Sequence, residues 1–357
     1  MTMSIQQNQE KRPQPAPDSP RKPDSPTDIK GRSWRYILKR TLREFSADKC
    51  TDLAAAMTYY AVLSIFPGLL AVVSILGIVG QGEATTRTII ELLERLGAPA
   101  DALGLIEGPI NQLTSGTGAG LALATGIIGA IWTASGYVRA FGRAMNTMYD
   151  VDEGRPFWKL YPVMLGVTLT LVIVVVIMML VLILSGGFAQ TLGNMIGLGD
   201  TALMVWNIAK WPVLVLLVIF MIALLYYATP NVKQPKFRWI SIGALVAIIV
   251  MALATAGFGF YVANFGNYNA TYGTIGGVIV LLLWIWIMNV VLLLGGEIDA
   301  EIERGRQLQA GIKAEETLQL PARDDRQCRK LNDKALGLVN DGRDLRYAYG
   351  HTDYRDR

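Results

Sequence analysis

Hydrophobic residues along this chain are grouped into runs long enough to cross a lipid bilayer as helices. A bilayer core of about 30 Å needs about 20 helical residues, and the first run carries no charge between Asp52 and Glu83. Five further runs follow. The pattern predicts an all-α membrane bundle with six transmembrane helices, at about 52–82, 118–148, 160–187, 201–229, 240–262 and 274–300.

The fifth and sixth predicted spans come from one uncharged stretch, residues 239–296, which is too long for a single crossing. A polar segment, residues 263–274, divides it. This segment forms either a tight outer loop or the mouth of a substrate pathway, with Tyr272 as a candidate contact. Tyr59, Tyr60 and Tyr261 would then extend the polar lining inward.

The first span has two features that a simple lipid-facing anchor does not need. Small residues fall on one helical stripe, which lets another helix approach closely, and Asp52 and Tyr59 lie on a neighbouring face. Pro67 removes a backbone donor and predicts a kink. We therefore expect an inward-facing wall of the bundle. The small-residue stripe is Ala54, Ala61, Ser64 and Gly68.

Four segments outside the spans are predicted from their composition. Residues 1–32 are rich in proline and poor in large apolar residues, which predicts a disordered tail rather than a signal peptide. Residues 33–46 predict an amphipathic helix lying on the membrane surface, or alternatively a helix that docks a soluble partner. Residues 85–113 predict short amphipathic helices that cap the bundle on its periplasmic side. Residues 306–357 predict a flexible charged tail.

Composition excludes several kinds of chemistry. The chain is 52% hydrophobic and 17% charged, with a mean hydropathy of +0.35, as expected of a polytopic membrane protein. Its single histidine, His351, lies in the polar C-terminal region, so a histidine-based metal site or catalytic triad in the bundle has no candidate. Cys50 and Cys328 imply no disulfide framework. We expect no metal, no cofactor and, without a GxxxxGK loop, no direct ATP hydrolysis.

The distribution of basic residues predicts the orientation. Most of the 33 Lys and Arg residues fall before residue 50, between 139 and 159, between 233 and 238, and after 303. Alternate loops carry few, apart from Lys210, which lies between Trp206 and Trp211 as expected for an amine reaching the interface. The positive-inside rule therefore places both termini in the cytoplasm.

Charged residues at two helix ends are the main candidates for function. Arg139, Arg143 and Asn146 form one stripe at the end of the second span. Glu297 and Asp299, with Glu301, crowd the end of the sixth, where the helix dipole disfavours negative charge. We expect the arginines to pair with these acids, with Lys49 beside Asp52 as a further candidate.

Several interpretations of these pairs remain open. They would form a cytoplasmic gate that opens when a charged substrate competes for the arginines, or a static anchor that closes the bundle. The Arg139 and Arg143 stripe would alternatively bind a lipid phosphate, or serve only as an ordinary topology signal.

Four stretches together resemble the YihY/BrkB family of bacterial inner-membrane proteins. They are DLAAAMTYYAVLSIFPGLL, GYVRAFGRAMNTMYDVDEGRPFWK, ALLYYATPNVK and YGTIGGVIVLLLWIWIMNVVLLLGGEIDAEI, and the resemblance covers about residues 33–305. It implies six helices and an inner-membrane location. Members have been labelled ribonuclease BN, a name that belongs to an unrelated soluble metal hydrolase, or named for a virulence role, and opinion on the family leans towards transport, including lipid transport.

These observations favour a non-enzymatic transporter of an amphiphilic anion or lipid, with membrane lipids as partners and no nucleic acid. The alternative is a structural or assembly protein of the bacterial envelope. A membrane nuclease is disfavoured because the bundle has few metal ligands. The substrate, the direction and energy coupling of transport, and the oligomeric state are left open by the sequence.

Overall fold

The structure is a computed structural model that describes residues 15–17, 19–23, 25–78, 119–183, 200–233, 241–265 and 269–349. Those residues contain eight α-helices and no β-strand. The predicted cap at 85–113 lies outside them. The helices are α1 Gly31–Ala47, α2 Cys50–Ile78, α3 Ala119–Met148, α4 Phe157–Ile183, α5 Asp200–Ala228, α6 Ile242–Phe265, α7 Asn269–Gln309 and α8 Arg326–Tyr349.

Helices α2 to α7 alternate in direction. The end of α3, the start of α4 and the end of α5 meet the segments 15–30 and 310–325 at one end of the bundle, which we call the terminal end. Along the bundle, α2 packs mainly on α3 and α7, while α4 joins α3 to α5 and α6 packs on α7. The six predicted spans correspond in position to these six helices.

Within the residues that the structure describes, four of these helices are long and apolar enough to cross a membrane. They contain Phe157–Met178, Met204–Ala228, Ile242–Val262 and Gly276–Gln309, and less than a third of each span is buried inside the protein. The exposed apolar side chains are therefore those that a lipid phase would cover. In α2 the residues with described side chains give a shorter apolar stretch, Cys50–Ile65. The protein is a multi-helix membrane protein, and six crossings remain a prediction.

Helices α6 and α7 approach each other closely at two glycines. A Cβ atom added to Gly243 would collide with the carbonyl oxygen of Gly295, and one added to Gly295 would lie 2.6 Å from the carbonyl oxygen of Gly243. Small residues at such crossings allow helix backbones to touch. This contact fixes the last part of α7 against the start of α6, near the charged groups described below.

The core at the terminal end is built largely from methionine, phenylalanine and leucine side chains. Met57 in α2, Phe141 and Met145 in α3 and Leu293 in α7 are fully buried in it. Unbranched methionines fill irregular gaps between helices. This packing places α7 beside α2 and α3 just before its charged residues begin.

The two terminal segments differ from the flexible tails predicted from composition. Residues 310–325 pack on the bundle, where Ala314 and Leu318 are buried. Before α1, Lys22 and Ile29 are also buried. Hydrogen bonds and ion pairs with the last turns of α7 hold both segments in place. A count of large apolar residues does not predict such interactions. The helix α8 has no buried residue.

Candidate functional site

The last turns of α7 carry charged side chains that are removed from solvent. Glu297, Glu301 and Arg304 are spaced four and three residues apart, which places them on one helical face. Both glutamates have no solvent exposure and Arg304 has 2%. Because α7 has 41 residues, about 60 Å at 1.5 Å per residue, it outruns a bilayer core of about 30 Å.

Arg304 is held by partners from three parts of the chain. Its Nε donates to Glu301 at 2.8 Å, its Nη2 to Asp150 at 2.8 Å, and its Nη1 to the carbonyl oxygen of Ala314 at 2.9 Å. Asp150 also accepts the backbone N–H of Leu318 at 3.1 Å. Arg40 of α1 lies 3.5 Å from the other oxygen of Glu301. Arg304 therefore ties α7 to the α3–α4 loop and to the segment after α7.

Glu297 has the same burial and a different environment. Neither of its carboxylate oxygens has a hydrogen-bond partner among the described residues. Asp48, between α1 and α2, belongs to the same group of acids. Burial, then Glu44 and Asp150, raise the pKa of Asp48 to about 6, against the opposing effect of Arg304. The acids at this corner thus outnumber the cations that reach them.

A polar network crosses the interior between α2, α3 and α7. The hydroxyl of Tyr137 donates to Asn289 Oδ1 at 2.9 Å, and Asn289 Nδ2 donates to the hydroxyl of Thr58 at 3.1 Å. Thr58 in turn donates to the carbonyl oxygen of Ala54 at 2.8 Å. Asn289 and Thr58 are buried. Each side chain satisfies the next, as buried polar groups must, so this network fixes the register of the three helices.

Arg139 lies between two aromatic rings at the junction of α3 and α4. Its guanidinium carbon is 5.6 Å from the centre of the Trp132 ring and 4.8 Å from that of Tyr161. The centre of the Tyr161 ring also lies 4.1 Å from that of Phe157, with the two rings tilted by 42°. Arg143 is exposed one turn further along α3. We call these five residues the aromatic–arginine surface.

The predicted pairing of Arg139 and Arg143 with the acids of α7 is not what the structure shows. Among the described residues, no ion pair joins either arginine to Glu297, Asp299 or Glu301. Asp299 instead accepts the backbone N–H of Gly243 at 2.8 Å, at the positive N-terminal end of α6. Being on the same side of the membrane does not place two side chains on facing surfaces.

The first predicted span contributes less to this site than its sequence suggests. Asp52 and Tyr59 are exposed, and Tyr60 is half-buried over Gly136. The buried face of α2 carries Ala54, Met57 and Thr58 instead. The helix continues through Pro67, whose side chain is outside the described residues, as is that of Tyr272.

Two other predicted residues have local roles. Asn146 is buried, accepts the backbone N–H of Asn231 at 2.7 Å and donates to Glu153 at 3.0 Å. It therefore links the end of α3 to the residues after α5. Lys210 donates to Asn207 at 3.1 Å and lies 5.8 Å from the centre of the Trp211 ring. That is the local arrangement expected for a lysine near an interface.

Sequence reasoning did not identify several residues that organise the terminal end. Arg323 donates to the carbonyl oxygens of Tyr227 and Val232, and so satisfies the end of α5. Glu303 accepts Lys22 Nζ at 2.6 Å and Arg306 Nη1 at 2.6 Å. In the sequence these residues are visible only as members of a segment of mixed charge after residue 300. Within the described part of the chain, no three His, Cys, Asp or Glu residues form a group suited to a metal ion.

Comparison with known proteins identifies the family. A family model described as virulence factor BrkB matches residues 41–318. The chain belongs to the virulence factor BrkB family. The resemblance predicted from the four sequence stretches is thereby confirmed, and the match extends beyond α7 into the packed segment that follows it. No solved structure matches the chain.

Relatives of this BrkB-family chain have names that describe membrane proteins more often than enzymes. The ribonuclease-like protein YfkH of Bacillus subtilis is 31% identical over 76% of this chain and 97% of its own length. The UPF0761 membrane protein RSc1559 of Ralstonia nicotianae is 28% identical over 76% of this chain, which spans only 60% of that relative. The UPF0761 membrane protein NTHI0384 of Haemophilus influenzae is 24% identical over 75% of this chain and 95% of its own length.

Proposed function

We propose that this BrkB-family protein is a non-enzymatic transporter of an amphiphilic anion, with a membrane lipid as the leading class of substrate. It would act in the bacterial inner membrane with six spans and both termini in the cytoplasm. The alternation of α2 to α7 supports six crossings, and the basic residues of the terminal end support a cytoplasmic position for that end.

The observation that carries this proposal is the unmet donor of Arg139. Its Nη1 is buried and has no hydrogen-bond partner among the described residues, although Trp132 and Tyr161 hold the guanidinium in place. An arginine fixed by aromatic rings is pre-organised to bind an oxyanion, and the guanidinium fork matches pairs of oxygens on phosphate and carboxylate groups. Aromatic rings at such a position suit the headgroup level of a bilayer. The aromatic–arginine surface therefore fits the phosphate of a lipid.

The experiment compares movement of a headgroup-labelled phospholipid across liposomes that contain the wild type or an Arg139→Ala, Arg143→Ala variant. We expect the wild type to exchange label faster than empty liposomes, and the variant to lose most of that gain. Arg346→Ala is the matched control, because Arg346 also lies over a tyrosine ring but on the exposed helix α8. Equal exchange by wild-type and empty liposomes would contradict passive lipid movement.

A second candidate is a structural protein of the envelope. The hydrogen bonds of the terminal end favour this candidate. Arg304, Arg323 and Asn231 each bond to segments that are distant in the chain, and so hold those segments together. In that case the double arginine variant would lose thermal stability along with any lipid exchange. Lost exchange at unchanged stability favours transport.

The ribonuclease-like name of the Bacillus relative gives a third possibility, which we do not propose for this chain. Metal-dependent RNA cleavage needs clustered metal ligands, and the described residues supply no such cluster. Purified protein that cleaved RNA with added Mg²⁺, and lost this activity on Glu297→Gln, would reverse this choice.

A further inference from the structure

Among the described acids of the terminal end, Glu297 is the one whose environment does not suit an ionised carboxylate. It has no solvent exposure, and both carboxylate oxygens lack a hydrogen-bond donor. Burying an isolated carboxylate costs far more than burying a neutral acid with an unmet hydrogen bond. We therefore expect the Glu297 carboxylate to be neutralised by a bound cation, either a proton or a metal ion.

The surroundings of Glu297 do not supply that ion. Charged and titratable groups reach it from α1, α2, the end of α3 and α7. They are Glu44, Asp48, Cys50, Tyr149, Glu301 and Arg304. Arg304 is the one cation among them, and its three nitrogens already bond Glu301, Asp150 and Ala314. A negative charge on Glu297 would add to the excess of acids.

We propose that Glu297 is a proton-binding site, a buried carboxyl that is protonated at neutral pH and releases its proton only when the corner around it opens. A proton fits better than a metal ion, because the described residues place no group of three or more metal ligands around Glu297. Glu301 differs from Glu297 because one of its oxygens accepts a hydrogen bond from Arg304, and the other, which accepts none, lies 3.5 Å from the guanidinium of Arg40. The site does not depend on which substrate the protein transports.

Proton binding at Glu297 has a structural consequence for the corner between α1 and α2. When Glu297 is neutral, Glu301 is the one negative charge that this part of α7 presents to Asp48 and Glu44. Arg304 and Arg40 balance that charge. With Glu297 ionised, a second carboxylate faces them without a cation. We expect release of the proton to loosen the contact between this corner and α7.

The test is infrared spectroscopy of the full-length protein in micelles of a detergent without ester groups, which detects the carbonyl stretch of a protonated carboxylic acid. We expect this band at neutral pH in the wild type, its loss in Glu297→Gln and its retention in Glu303→Gln. Glu303 is the matched control because it is also buried on α7 but accepts bonds from Lys22 and Arg306. Glu297→Asp, which keeps an acid, should shift the band rather than remove it.

Three results would overturn the proposal. The band would be absent from the wild type at neutral pH, or it would persist unchanged in Glu297→Gln, or it would appear only after sodium is removed, which would assign the site to a metal ion. A second measurement needs no variant. Protection of residues 44–53 against hydrogen–deuterium exchange, measured relative to the base-catalysed intrinsic rate at each pH, should fall as the band disappears at alkaline pH. Protection that stays constant while the band disappears would contradict the predicted loosening.

Discussion

Glu297 and Glu301 lie one turn apart on the same face of α7, and both are fully buried, yet their surroundings differ. Glu301 bonds Arg304 at 2.8 Å and lies 3.5 Å from Arg40. Glu297 has no donor on either oxygen within the part of the chain that the structure describes. Burial alone therefore does not define the charge state of an acid, because the supply of cations from neighbouring elements decides it.

The difference arises from where cationic side chains can reach. Arg304 lies three residues after Glu301, at the spacing at which helical side chains meet. Arg40 comes from the part of α1 that packs beside this turn. One turn earlier, α7 faces the methionines of α3, since a Cβ atom on Gly296 would lie 2.8 Å from the sulfur of Met145. An apolar neighbour cannot neutralise a carboxylate.

Removing the cation of the paired region should have the largest effect. Arg304→Met keeps the bulk of the side chain but leaves Glu301 buried with only the distant contact to Arg40, and leaves Asp150 without its ion pair. Breaking a buried pair from one side costs about 3 to 5 kcal/mol. The measurement is chemical unfolding in detergent micelles at neutral pH.

The control for that variant is an ion pair on the surface. Arg329→Met removes a pair with Asp325 in which both side chains are more than half exposed, so we expect a change below about 0.5 kcal/mol. If Arg304→Met destabilised the protein no more than Arg329→Met, the network around Arg304 would not hold the terminal end together.

A direct comparison of the two glutamates comes next in size. Glu301→Gln removes a charge that balances Arg304 and should destabilise the protein by about 2 to 3 kcal/mol at neutral pH. Glu297→Gln replaces a neutral acid by a neutral amide of nearly the same shape and should cost less, about 1 kcal/mol, because only unpaired amide donors are added to the buried position. Equal losses in the two variants would remove the distinction between the paired and the unpaired glutamate.

The sequence predicted the membrane helices well because long apolar runs report them directly. The predicted spans at 160–187, 201–229, 240–262 and 274–300 overlap the four helices that are long and apolar enough to cross a membrane. Hydropathy does not report where a helix stops when it leaves the lipid. The sixth span was expected to end near residue 300, whereas α7 continues to Gln309 because Glu303, Arg306 and Gln309 gain partners in the segment 15–30.

The site was predicted only in part, since charge counting identifies residues but not their partners. Glu297 and Arg139 were both singled out, and both prove to have unmet polar atoms in the described structure. Their expected mutual pairing was wrong because each points to a different neighbour: Arg139 to the rings of α3 and α4, Glu297 to the corner after α1. Arg304 was counted only among the basic residues after 303, and its central position depends on Asp150 and on the carbonyl oxygen of Ala314, which the sequence does not place beside it.

The smallest effect concerns Asp48, whose pKa depends on the negative charge at the corner between α1 and α2. Its pKa is raised from 3.8 to about 6, first by burial and then by Glu44 and Asp150, with Arg304 acting in the opposite direction. An acid with a raised pKa in the folded state contributes stability below pH 3.8, and this contribution is lost as the pH rises through about 6. Wild-type stability should therefore fall over that window on account of Asp48.

Asp48→Asn removes this pH dependence. We expect it to match the wild type near pH 4 and to exceed it by about 1 kcal/mol near pH 8, a value reduced from the full shift because Asp48 is half-exposed. Unfolding curves of both proteins at a series of pH values give the difference directly, and a difference that shrinks with rising pH would contradict the sign. In the Glu297→Gln background the gain should persist near neutral pH but stop growing at alkaline pH, since Glu297 can then no longer add its charge to the corner.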